Sequence, residues 1–151
     1  MQSHQLLLII ENHWDQITTD VIDSIKSDPS LPVISRLPHA ELEGWGRTQA
    51  KNLAHWLSGS PGEIGAEYEA VGRRRFLSGI PLSECVHSLH LIKDKMLDFI
   101  RSRGFAANAL EIYAEEELEH RVGKFFDNLT YHMVHGYESA LKHAGAISVH
   151  R

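Results

Sequence analysis

Two Glu-x-x-His pairs, Glu84-x-x-His87 and Glu117-x-x-His120, have the spacing in this chain best suited to metal chemistry. Residues three apart share a helix face, and di-iron carboxylate bundles combine two such pairs with two further glutamates. Distance opposes that arrangement here. If a helical hairpin turns about residue 106, position 84 faces position 128 and position 117 faces position 95. The pairs then lie about eleven residues apart, roughly 16 Å at about 1.5 Å per residue. Two metals sharing carboxylates need about 3.5–4 Å. The same hairpin brings His90 opposite position 122, close to His120, with His87 one turn from His90. His87, His90 and His120 are therefore the candidate ligands of zinc or another divalent metal, with Glu116 or Glu119 as a fourth. Alternatively the three border the core as partly exposed or hydrogen-bonded side chains. Histidine's ordinary titration near neutrality would then suit proton sensing without any metal.

His132 and His135 form another three-apart pair, beside Tyr131 and Glu138, on what reads as a solvated or interface face. The chain contains neither His-x-x-x-His nor His-Glu-x-x-His, which removes hemerythrin-like iron binding and zinc-peptidase chemistry. Catalytic nucleophile elbows, phosphate-binding glycine loops and dinucleotide fingerprints are also absent from the sequence. No catalytic residue is assigned, and an enzyme is not expected. Cys85 falls on the predicted core face of a helix near its start, where packing is the simpler role. Arg73, Arg74 and Arg75 end a helix, where positive charge complements the dipole. Adjacent helical residues point in different directions, so two of these arginines suit the surface or ion pairs and one remains for a ligand.

Five helices would position these residues. Leu7, Ile10, Trp14, Ile17, Val21 and Ile25 recur at helical spacing and predict the first, from about Gln5 to Lys26. Asp28-Pro29 and Leu31-Pro32 then forbid continuation. The second runs from near Pro38 to Leu57, and the third from about Glu63 to Leu77. Pro81 opens the fourth, which carries Leu82, Val86, Leu89, Ile92, Met96 and Phe99 and ends near Gly104. The fifth is the longest, about Ala107 to Ala144, with a stripe of Leu118, Val122, Phe125, Leu129, Met133, Tyr137 and Leu141. No strand alternation, internal repeat or linker interrupts them. The expectation is one all-α domain over residues 1–151.

The fourth and fifth helices should pair as an antiparallel hairpin. The fifth is much longer, so Phe125, Phe126, Tyr131, Met133 and Tyr137 lie in or near an overhang that must meet the first three helices or a second chain. An isologous homodimer through the last two helices is expected. A pocket is expected among the first four helices, lined by residues such as Trp14, Trp45, Trp56 and Phe76.

Bulk properties narrow the partners. A chain of 151 residues, 42% hydrophobic and 23% charged, is large enough to bury a core. Its net charge of −5 argues against nucleic acid or an anionic membrane as the main partner. Leu6 to Ile10 is too short an apolar run for a signal-peptide core or a membrane span. With a single cysteine, the chain fits a reducing, cytoplasmic compartment.

The segment Gly72-Arg73-Arg74-Arg75-Phe76-Leu77-Ser78-Gly79-Ile80-Pro81-Leu82-Ser83-Glu84 has a familiar pattern, as does Phe125-Phe126-Asp127-x-x-x-Tyr131 followed by Gly136-Tyr137-Glu138. Together they resemble the amino-terminal domain of RsbT co-antagonist (RsbRD-type) proteins over about residues 8 to 143. That resemblance implies a globin-like helical bundle without haem. It also implies a bacterial, stress-response signal-input domain that dimerises and is usually fused to an effector such as a STAS domain. No effector follows Arg151, so the expectation is a stand-alone relative or an excised domain. In a globin the proximal histidine precedes the two long carboxyl-terminal helices, and residues 63–77 contain none. Haem would need His55, His87 or His90 in another arrangement. The leading expectation is thus a non-catalytic sensor or interaction domain without a cofactor, which meets a signalling protein or a small-molecule ligand. The alternative is a metal- or haem-binding protein built on His87, His90 and His120.

Overall fold

The computed structural model describes residue 8 and residues 10–57, 64–102 and 109–149. Helix α1 spans Trp14–Ser27, α2 His39–Leu57, α3 Ile64–Leu77, α4 Leu82–Ser102 and α5 Ala109–Val149, with a 3-10 turn at Ile34–Arg36 between α1 and α2. No strand occurs among the described residues, and the fold is all-α. The breakers act as their chemistry dictates. Asp28 leaves helical geometry with ψ 113° ahead of Pro29, and its Oδ1 accepts hydrogen bonds from the Ser30 backbone and hydroxyl at 2.8 and 2.6 Å. Gly79, at φ 76°, closes α3: its N–H donates to Phe76 O and that of Ile80 to Arg75 O. The Pro81 carbonyl then accepts the first N–H groups of α4, from Glu84 and Cys85. This tight corner sets the last turn of α3 beside the first turn of α4.

The helices differ from expectation in two places. A break at His13 separates α1 from the helical residues before it, and the predicted start at Gln5 lies outside the described residues. α5 runs on to Val149, past the predicted end at Ala144. Its stripe from Leu118 to Tyr137 is buried as expected, but Leu141 is exposed. α4 turns Cys85, Leu89, Ile92, Met96 and Ile100 inward, leaving Val86 and Phe99 only partly buried.

The overhang of α5 finds its partner within the chain. α3 crosses it in the most extensive interhelical contact among the described residues. A Cβ on Gly72 would overlap the carbonyl of Met133, and one on Gly136 the carbonyl of Glu69. Only glycine at both positions lets these backbones approach so closely. Phe125 and Phe126 are thereby sealed in the core, edge to face at 5.2 Å. The Tyr137 hydroxyl donates to Ile80 O at 2.7 Å, tying α5 to the α3–α4 corner. α4 and α5 run antiparallel, with Arg101 Nε donating to Glu119 Oε1 at 3.2 Å near their joined ends. At the far end of α2, Trp56 Nε1 donates to Arg121 O, and the Arg121 guanidinium donates to Leu57 O at 2.6 Å.

Candidate functional site

A cavity of about 360 Å³ opens among α2, α3 and α4, floored by Met133 of α5. Its apolar wall includes Ile34, Val71, Leu89 and Ile92. Its polar wall is built by the α3–α4 corner. The half-buried Arg75 sits over the Trp45 ring, with the guanidinium carbon 3.7 Å from the ring centroid. Stacking uses the faces of the guanidinium and leaves its in-plane N–H groups free to donate. Burial pulls this group down to about 10, which still leaves it charged at neutral pH. No carboxylate forms an ion pair with it among the described residues; Glu41, exposed at the rim, gives only a longer-range attraction. Arg74 is also exposed at the rim, and Arg73 faces solvent outside the lining. Of the three adjacent arginines, Arg75 is the one turned inward.

Tyr68 stands on α3, seven residues before Arg75, so two helical turns set both on the cavity side. Its hydroxyl is buried at 3% residue exposure without a hydrogen-bond partner among the described residues. Burial pushes the phenol up to about 12 against the opposing effect of nearby Asn52, whose amide lies outside hydrogen-bonding geometry to the hydroxyl and donates to Glu67 Oε1 at 3.3 Å. Gln49, shared with a small neighbouring cleft, has a buried carbonyl oxygen that is likewise unpartnered. Cys85 lines the cavity from the first turn of α4. The Arg75 cation favours its thiolate, but burial prevails and pushes the thiol up to about 11. Its side chain is buried in the core.

The histidines are placed elsewhere. His87 Nε2 bonds Asp28 Oδ2 at 2.8 Å, while His90 and His120 are exposed. Arg101 opposite Glu119 shifts the hairpin about four residues from the expected turn, so His90 faces about position 130, roughly 15 Å from His120 along the axis. The structure therefore does not bring His87, His90 and His120 together, and among the described residues no group of three or more His, Cys, Asp or Glu is arranged to hold a metal. Glu117 is exposed too.

The Glu84-x-x-His87 pair instead fastens the inter-helix loop. Glu84 Oε1 accepts from Val33 N and Ile34 N at 2.9 and 3.0 Å, and His87 holds Asp28. Ser30, then His87, hold the Asp28 carboxyl down at about 2. His132 and His135 also have a structural task across the α3–α5 crossing, where both ring Nδ1 atoms bond Glu69, at 3.2 and 2.8 Å. His135, and after it His132, hold the Glu69 carboxyl below the usual range against the effect of burial. Tyr131 stacks on His135.

Of the four aromatics expected around a pocket, Trp45 alone lines this cavity. Trp14 borders smaller clefts, Trp56 is spent on Arg121, and Phe76 packs edge to face on Tyr137. Tyr68 and Gln49 went unnoticed in the sequence, because neither belongs to a motif. Their only trace is a polar residue at a core position of its helix.

The family model of the RsbT co-antagonist protein RsbRD N-terminal domain matches residues 15–147. This agrees with the resemblance carried by Gly72–Glu84 and by Phe125–Glu138. No curated protein and no solved structure matches the chain.

Proposed function

Because the chain belongs to the RsbT co-antagonist protein RsbRD N-terminal domain family, we propose that it is a non-catalytic signal-input domain that regulates through protein contacts and dimerises through α4 and α5. The observation that carries this reading is the family match across nearly the whole chain. Three features support it. The cavity beside the α3–α4 corner offers an internal place for a signal, and the only described cysteine has its thiol raised away from reactivity. α5 also keeps Ile112, Tyr113 and Leu141 exposed, apolar surface of the kind that a self-complementary contact buries. Such a dimer would set two copies of the α3–α5 crossing about one axis, so a change at either cavity could alter the contact. No helix of the described residues is long and apolar enough to cross a membrane, and we place the domain in the cytoplasm of a bacterial cell, acting in a stress-response pathway.

Native mass spectrometry of untagged protein tests this. The expected species is a dimer of two 17.1 kDa chains, dissociated by Tyr113→Glu combined with Leu141→Glu. A monomer at tens of micromolar would overturn the dimer. Added mass from a metal or haem would instead favour the histidine-based alternative, with His87, His90 and His120 as the first residues to replace.

A further inference from the structure

The polar half of the cavity has a definite chemical sense. Arg75 supplies a cation that forms no ion pair among the described residues, and Tyr68 supplies a buried hydroxyl without a hydrogen-bond partner among them. A buried polar group left without a partner is unfavourable, and a ligand that supplies one removes that cost. The charged and titratable groups on the lining are Glu41, Tyr68, Arg74, Arg75 and Cys85. Glu41 and Arg74 are exposed at the rim and opposite in sign, so Arg75 sets the net charge of the interior.

We propose that this cavity binds a small organic acid, with its carboxylate on the Arg75 guanidinium and the Tyr68 hydroxyl and its apolar body against Val71, Leu89 and Ile92. One guanidinium matches a single negative charge. A dianion such as a phosphate ester would bring a second charge into a buried site that has no second inward-facing cation. The cavity volume is near the lower end of ordinary small-molecule pockets, which limits the body to a short chain or one ring. The wider cleft between α1 and α4 is less suited, since Asp20 and Asp98 line it beside Lys95 and no buried unpartnered group does so among the described residues. The assignment rests on the reading of the chain as a signal-input domain and names the class of signal.

Isothermal titration with hexanoate and 4-hydroxybenzoate tests it, using 4-hydroxybenzamide and inorganic phosphate as controls. At least one carboxylate is expected to bind once per chain. Arg75→Met, which keeps an apolar side chain over Trp45, should weaken it at least about tenfold, the loss of a charge-assisted hydrogen bond. Tyr68→Phe should weaken it severalfold and serves alone if Arg75→Met does not fold by circular dichroism. Saturable binding of neither acid at 10 mM, or equal binding of the amide or of phosphate, would overturn the assignment. So would affinity unchanged in the folded variants. Native mass spectra of the same samples separate the two ideas: a dimer that binds no acid overturns the ligand alone, whereas a monomer that binds it overturns the dimer alone.

Discussion

Asp28 shows how one side chain can hold a loop in place. Its two oxygens divide their work: Oδ1 holds Ser30, which shapes the turn after α1, and Oδ2 holds His87 on α4. All these partners favour the ionised carboxylate, and together they depress it to about 2 from an ordinary value of about 3.9. The sign of the linkage follows. An acid with a lower folded-state value contributes stability above the unfolded value and loses it as pH falls through the folded one. Asp28→Asn should therefore lower the urea midpoint at pH 7, with the difference from wild type shrinking below about pH 4 and nearly gone by about pH 2. A difference that persists unchanged at pH 2 would show that packing, not charge, is what the substitution removes. Glu69, held low by His135 and His132, adds acid sensitivity of the same sign at the α3–α5 crossing.

Between elements, the decisive contact is made by absence of side chain. Gly136→Ala gains helix propensity worth about 1 kcal/mol, but the new methyl meets the backbone of α3, which cannot swing aside as a side chain can. Overpacking ordinarily costs about 1–3 kcal/mol, and a backbone clash belongs at the top of that range or beyond, so the clash wins. Gly123→Ala on the same helix meets nothing within 4 Å and should stabilise by about 0.5–1 kcal/mol. Opposite signs are expected in chemical denaturation; two stabilising substitutions would show that α3 and α5 are not so close. The helices themselves were legible because apolar periodicity and Pro or Gly breakers act locally. The α3–α5 contact was not, since glycine carries no hydrophobic signal and its two members lie 64 residues apart. The hairpin register was misplaced for a related reason: a turn position inferred from chain breaks is uncertain by several residues, and four were enough to carry His90 away from His120.

At the scale of the molecule, the buried residues form one continuous core running from Ile10 to Tyr137, and the cavity sits inside it. The core positions could be read from periodicity, whereas the cavity could not. It depends on which of three adjacent arginines turns inward and on Tyr68 and Gln49, whose neighbours come from other helices. A protein maximising stability would fill such a space. Val71 lies on its wall, nearly buried, and is a β-branched residue in a helix. Val71→Leu keeps the carbon skeleton apolar, adds one methylene worth about 0.8 kcal/mol when buried, and modestly improves helix propensity. In a close-packed wall the same change would cost about 1–3 kcal/mol. The space beside Val71 decides between these, and the expected result is a gain of about 1 kcal/mol in denaturant unfolding, accompanied by weaker binding of hexanoate. That pairing is how a cavity kept for a ligand behaves, with stability and occupancy competing for one volume. A loss of stability would mean that the wall is already packed, and a gain with undiminished affinity would place the acid elsewhere.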